Sequence, residues 1–136
     1  MIIEKDGYKF EIDLEATKKY YENNEICDCE ACKNFYAQAK ETFPKLDEFL
    51  DAFGVNILRP DEASWIQEGD DIDYIDITYT VCGKILQGDG YEVDIYDSLF
   101  LSVFIDDKYV PNSHGEEDWF SLTVFNVKLP FVIDRQ

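Results

Sequence analysis

The chain has 136 residues, 46% of them hydrophobic and 15% aromatic, and sets 12 Lys+Arg against 30 Asp+Glu for a formal net charge of −18. That size and apolar content suit one folded domain and exclude an intrinsically disordered chain. The charge repels phosphate backbones and anionic bilayers, which excludes direct nucleic-acid binding and membrane docking, and it disfavours self-association, so a monomer is expected.

Residues 1–12 read as a hairpin, with Ile2 and Ile3, a turn at Lys5-Asp6-Gly7, then Tyr8, Phe10 and Ile12 alternating with Lys9 and Glu11. Asp13 caps a short helix through Ala16, Lys19, Tyr20 and Glu22 that frays at Asn23-Asn24. Asp28 is placed to cap the next helix, whose stripe at helical spacing is Cys32, Phe35, Tyr36, Ala39 and Phe43. Pro44 fits the first turn of a further helix with Leu46, Phe49, Leu50 and Phe53 inward and Gly54 as its stop.

Beyond Pro60 the helical period gives way to alternation. Ala63 to Gln67 form a short strand around Trp65, and Ile75, Ile77, Tyr79 and Val81 alternate with Asp76, Thr78, Thr80 and Cys82. After a Gly88-Asp89-Gly90 loop, one long strand runs from about Glu92 to Ile105 with Leu99, Leu101, Val103 and Ile105 on one face. Lys108 to Gly115 is a loop, Trp119 to Val127 a strand, and Phe131-Val132-Ile133 an added edge after Pro130.

Helices before strands predict an α+β fold: an N-terminal hairpin, two to three helices, then a mainly antiparallel sheet of about four strands packed on the helices. The chain reads as a single domain, 1–136, with hairpin and helices in 1–58 and the sheet in 59–136. Its expected core holds Phe35, Phe43, Leu50, Tyr79, Val81, Leu101, Val103 and Phe125.

Three of the four cysteines form the run Cys27-Asp28-Cys29-Glu30-Ala31-Cys32. Disulfides between such near neighbours staple almost nothing, and no secretion signal opens the sequence, so reduced thiols in the cytoplasm are expected. Cys29 and Cys32 lie one helical turn apart, Cys27 folds back from the entering loop, and helix N-terminal amides stabilise thiolates. These three are candidate ligands for one zinc ion. The fourth is left to Cys82, to His114, or to a carboxylate such as Asp28 or Glu30. Two other readings stand beside it: Cys32 as a small core residue, and thiol chemistry with His114 as base.

The run from Cys27 to Lys33, Asn34, Phe35 and Tyr36 resembles a motif of small uncharacterised bacterial proteins, C-x-C-x-x-C-x-N followed by an aromatic residue. In those, a proline and a leucine- or phenylalanine-rich helix ending in glycine come next, as Pro44, Leu46, Phe49, Leu50 and Gly54 do here. Arg59-Pro60-Asp61-Glu62 and Tyr79-Thr80-Val81-Cys82-Gly83 are similar too. The resemblance implies that the three cysteines act as one unit and carries no established activity.

Catalytic signatures are sparse. The one histidine, His114, sits in a Ser-His-Gly loop; no calcium loop or phosphate cradle occurs, and enzyme is the minority reading. The acidic turns Asp70-Asp71-Ile72-Asp73, Asp106-Asp107 and Glu116-Glu117-Asp118 are interleaved with Tyr74, Tyr91, Tyr96, Tyr109 and Trp119. Carboxylates steer association and aromatic anchors supply contact area, so these residues suggest a non-enzymatic domain binding a basic protein partner. Immunity proteins and phage inhibitors that mask nucleic-acid-binding partners are alike in size and charge, an analogy of physical type.

Overall fold

The computed structural model describes residues 1–5, 7–88, 92–94, 102–106 and 118–132. Strands β1 (Ile2–Lys5) and β2 (Tyr8–Ile12) form the expected hairpin, turning at Gly7 with φ 85. Helix α1 (Leu14–Asn23) starts where the Asp13 carboxylate accepts from the Ala16 N–H at 3.0 Å. Helix α2 (Glu30–Thr42) is capped by Cys29 rather than Asp28, because the Cys29 sulfur accepts from the Cys32 N–H at 3.4 Å. Helix α3 (Pro44–Ala52) has Pro44 in its first turn and stops before Gly54 at φ 83.

About four strands were expected in the sheet besides the hairpin; among the described residues five, β3 (Glu62–Glu68), β4 (Asp71–Gln87), β5 (Glu92–Asp94), β6 (Ser102–Asp106) and β7 (Trp119–Pro130), join the hairpin in one seven-stranded sheet. The order is β1-β2-β4-β7-β6-β5 with β3 also on β4, and every pair is antiparallel. The hairpin pairs with β4 through Phe10↔Ile85 and so belongs to the same sheet. The single strand expected from Glu92 to Ile105 is instead two antiparallel strands, with Val93 opposite Val103. Phe131 and Val132 lie beyond β7 and add no strand.

The seventeen-residue β4 organises the molecule. Along one edge it pairs with β7 from Asp71 to Cys82; along the other it pairs with β3 up to Thr78 and with β2 from Gly83. The gap between β3 and β2 is closed by α1. The Tyr21 hydroxyl accepts from the Thr80 N–H at 2.7 Å and donates to the Thr80 carbonyl at 2.8 Å, and Thr17 Oγ1 accepts from the Cys82 N–H at 3.1 Å. Burial of these backbone groups without partners would cost about 1–3 kcal/mol each.

One bulge changes the face each side chain takes. β4 carries an extra residue, Ile75, opposite the Ser64–Trp65 step of β3; at the matching place in β7, Asn126 takes φ 65. Both strands switch phase there. Ile72 and Tyr74 point into the core before the bulge and Ile77, Tyr79 and Val81 after it, with Val127 and Leu129 against Phe120, Leu122 and Val124 in β7. Tyr74 is therefore fully buried, and Ile75, expected inward, is 47% exposed.

The helices cover one face of the sheet and share a single apolar cluster with it. At its centre Phe10 meets Phe53 edge-on at 5.1 Å and stacks on Phe120 at 5.5 Å. Phe35, Leu50, Tyr79, Val81 and Val103 are buried as expected; Phe43 and Phe125 are half-buried, and Leu101 lies outside the described residues. No helix among the described residues is long and apolar enough to cross a membrane.

Candidate metal centre

The turn that delivers the chain from α1 to α2 carries Cys27 and Cys29, and the first turn of α2 carries Cys32. Their three sulfurs lie within 4.8 Å of one another, with Cys27 exposed, Cys29 half-buried and Cys32 buried. None of the four cysteines is in a disulfide. Tetrahedral zinc with sulfur at about 2.3 Å needs sulfurs about 3.8 Å apart, so an ion draws the cluster in by about 1 Å at most.

Backbone amides already point at the sulfurs. Cys27 Sγ accepts from the Cys29 N–H at 3.4 Å, and Cys29 Sγ accepts from the Cys32 N–H at the same distance. Burial raises the Cys29 thiol, but the amides of Cys32 and Ala31 and the neighbouring thiols of Cys27 and Cys32 outweigh it, and its pKa falls below the ordinary value. Burial first, then hydrogen bonding and charge from Cys29 and Cys27, pushes the Cys32 thiol well up. Without metal Cys29 thus gives up its proton more readily than Cys32. A divalent cation bound by the sulfurs displaces thiol protons.

Around the sulfurs the framework is polar and tightly tied. The Tyr36 hydroxyl donates to the Cys27 carbonyl at 2.8 Å, clipping the turn onto α2. Burial, then the thiols of Cys32, Cys27 and Cys29, push the Tyr36 phenol up, so it stays a donor. The Tyr74 hydroxyl donates to the Ala31 carbonyl from the core side. Asn34 is fully buried and bolts α2 to the end of β7. Its Nδ2 donates to the Pro130 carbonyl at 3.0 Å and to the Tyr74 hydroxyl at 3.4 Å, and its Oδ1 accepts from the Val132 N–H at 2.8 Å. The motif contains Asn34, but the spacing gave it no task. The available signal was a polar residue between Ala31 and Gln38 on the stripe that faces the sheet.

Cys82 is not gathered with these three cysteines. It sits eight residues along β4 from Tyr74, about 26 Å of strand, with its backbone tied to Asp13 and Thr17. His114 lies outside the described residues.

Among the described residues, the expected acidic positions do not gather in one place. Asp70 is exposed at the β3–β4 turn, and Asp71 and Asp73 are half-buried at the start of β4. Asp118 lies beyond the other end of the β4–β7 ladder, eleven residues or about 36 Å away, paired with Lys84 at 3.4 Å. β6 brings the backbone of Asp106 opposite Ser121, toward that far end. Tyr74 is withdrawn from the expected docking surface because the bulge turns it into the core. Asp107, Tyr109, Glu116 and Glu117 lie outside the described residues. The apolar groups that accompany Asp70, Asp71 and Asp73 are Trp65 and Ile66. No protein-family model, curated protein or solved structure matches this chain.

Proposed function

We propose that the chain is a zinc-stabilised structural or adaptor domain, binding one thiophilic divalent ion through Cys27, Cys29 and Cys32. The convergence of three sulfurs at the capped start of α2 carries this reading. Three thiolates leave one tetrahedral position, for which His114, the carboxylates of Asp28 and Glu30, and water are the candidates. The metal's work is to fix the sulfur-bearing part of the α1–α2 turn, which Tyr36 clips to α2 from one side. Native mass spectrometry of zinc-reconstituted protein is expected to show about one ion per chain, and chelation to lower the thermal midpoint. Cys27→Ser, Cys29→Ser and Cys32→Ser each lose the ion, while Cys82→Ser keeps it. A protein that stays metal-free, with a midpoint indifferent to chelator, overturns the reading.

A second reading, an acidic domain that masks a basic partner in the manner of an inhibitor or immunity protein, is favoured by a separate observation. Residues 61–76 carry seven carboxylates and no Lys, Arg or His, beside the exposed Trp65 and Ile66. It predicts association with a basic protein that slows steeply with added salt. A rate indifferent to salt removes it.

A further inference from the structure

β3 has β4 on one side and, among the described residues, no strand on the other. Six of its seven residues are exposed, and Ala63 is half-buried. Trp65 is 41% and Ile66 48% exposed. Because the residues alternate, Trp65 stands opposite Tyr74 on the helical side and Ile66 opposite Asp73 on the other. The open edge thus offers backbone donors and acceptors with an apolar side chain on each face.

Natural edges are usually guarded by lysine, proline or a bulge. β3 contains neither lysine nor proline, and the bulge in this pair belongs to β4, so β3 itself is regular. An extended chain laid along it forms ladder hydrogen bonds and seats alternate side chains, the mode of β-strand addition.

Charge selects the occupant. Residues 61–76 place seven carboxylates in and beside the edge, and Lys128 is paired with Glu68 at 3.6 Å. A second copy of this chain would bring like charge to like charge. A strand bearing lysine or arginine alternating with apolar residues neutralises the carboxylates, and its cations reach the face of Trp65.

We infer that the β3 edge, anchored by Trp65 and Ile66, binds a basic extended segment of a partner protein as an added strand. This rests on the acidic-binder reading and specifies its mode. The probe is a labelled peptide of alternating lysine and valine about as long as β3, with a glutamate–valine version and a lysine version interrupted by proline as controls. With the full chain at low salt, only the uninterrupted lysine peptide is expected to bind, with amide shifts concentrated in residues 62–68. Trp65→Ser and Gln67→Lys, both at exposed positions, each weaken it by about tenfold or more. Equal binding of the proline-interrupted lysine peptide, or amide shifts centred elsewhere, overturns strand addition and leaves the acidic-binder reading standing. Binding of neither lysine peptide overturns both. Binding of the glutamate version as well overturns selection by charge.

Discussion

Replacing Asn34 by alanine tests the link between the cysteine-bearing helix and the sheet. The carboxamide makes three hydrogen bonds from a fully buried position, to Pro130, Tyr74 and Val132. At about 1 kcal/mol net for each, the direct loss is about 3 kcal/mol. Two circumstances reduce it. Gln38 Nε2 still donates to the Pro130 carbonyl at 2.9 Å, and the Val132 N–H lies on an exposed residue where water can reach it. We therefore expect Asn34→Ala to cost about 2 kcal/mol, a large share of the 5–15 kcal/mol typical of a domain. Gln38→Ala should cost about 0.5 kcal/mol, because Asn34 keeps the same carbonyl satisfied. Asn34→Asp should be worse than alanine, since it sets a carboxylate against the Pro130 carbonyl where a donor stood. The assay is urea unfolding of metal-free protein, which separates this term from metal binding. A loss below about 1 kcal/mol for Asn34→Ala, or equal losses for Asn34→Ala and Gln38→Ala, refutes the reasoning.

Burial raises the phenols of Tyr21 and Tyr79 well above their ordinary value and pushes Tyr74 up to about 12. The unfolded chain releases these protons near pH 10 while the fold retains them, so their contribution is intact below about pH 10 and falls as pH rises above it. The slope is about 1.4 kcal/mol per pH unit for each tyrosine, and Tyr79→Phe removes one such share; urea midpoints from about pH 9 upward measure it, and a flat profile contradicts it. Tyr21→Phe strips the partner from both the N–H and the carbonyl of Thr80 and should cost about 2–4 kcal/mol in the same assay. At Gly83, φ 155, a Cβ would collide with the Glu11 carbonyl oxygen, so Gly83→Ala should part β2 from β4 and lower the thermal midpoint by several degrees or more. An unchanged midpoint shows that β2 can yield at no cost.

Local signals were legible wherever the physics is local. The Asp13 cap, Pro44 in a first turn, Gly54 as a stop and the helical stripes each depend on a few adjacent residues, and the structure bears them out. The three-cysteine unit was legible for the same reason, since one turn of helix and one reversal suffice to gather it. What failed depends on partners distant in sequence. Alternation read straight through from Ile75 put Tyr74 outside, because a bulge needs two strands to define it and its mark in β7, Asn126, is an ordinary-looking residue. Cys82 was offered as a ligand on chemistry alone; only the length of β4 separates it from the cluster. The split of residues 92–105 into two strands likewise follows from pairing, not from side-chain pattern.

The closure of the β4 edge by α1 has a consequence for how the molecule opens. Where two strands meet, an amide is released by fraying, a few residues at a time. At Thr80 and Cys82 the amides end on Tyr21 and Thr17 of one helix, so neither is released until that helix lifts away. Helix α1 and the middle of β4 therefore form one cooperative unit, and hydrogen exchange at these two amides reports the lifting of a helix from within a sheet.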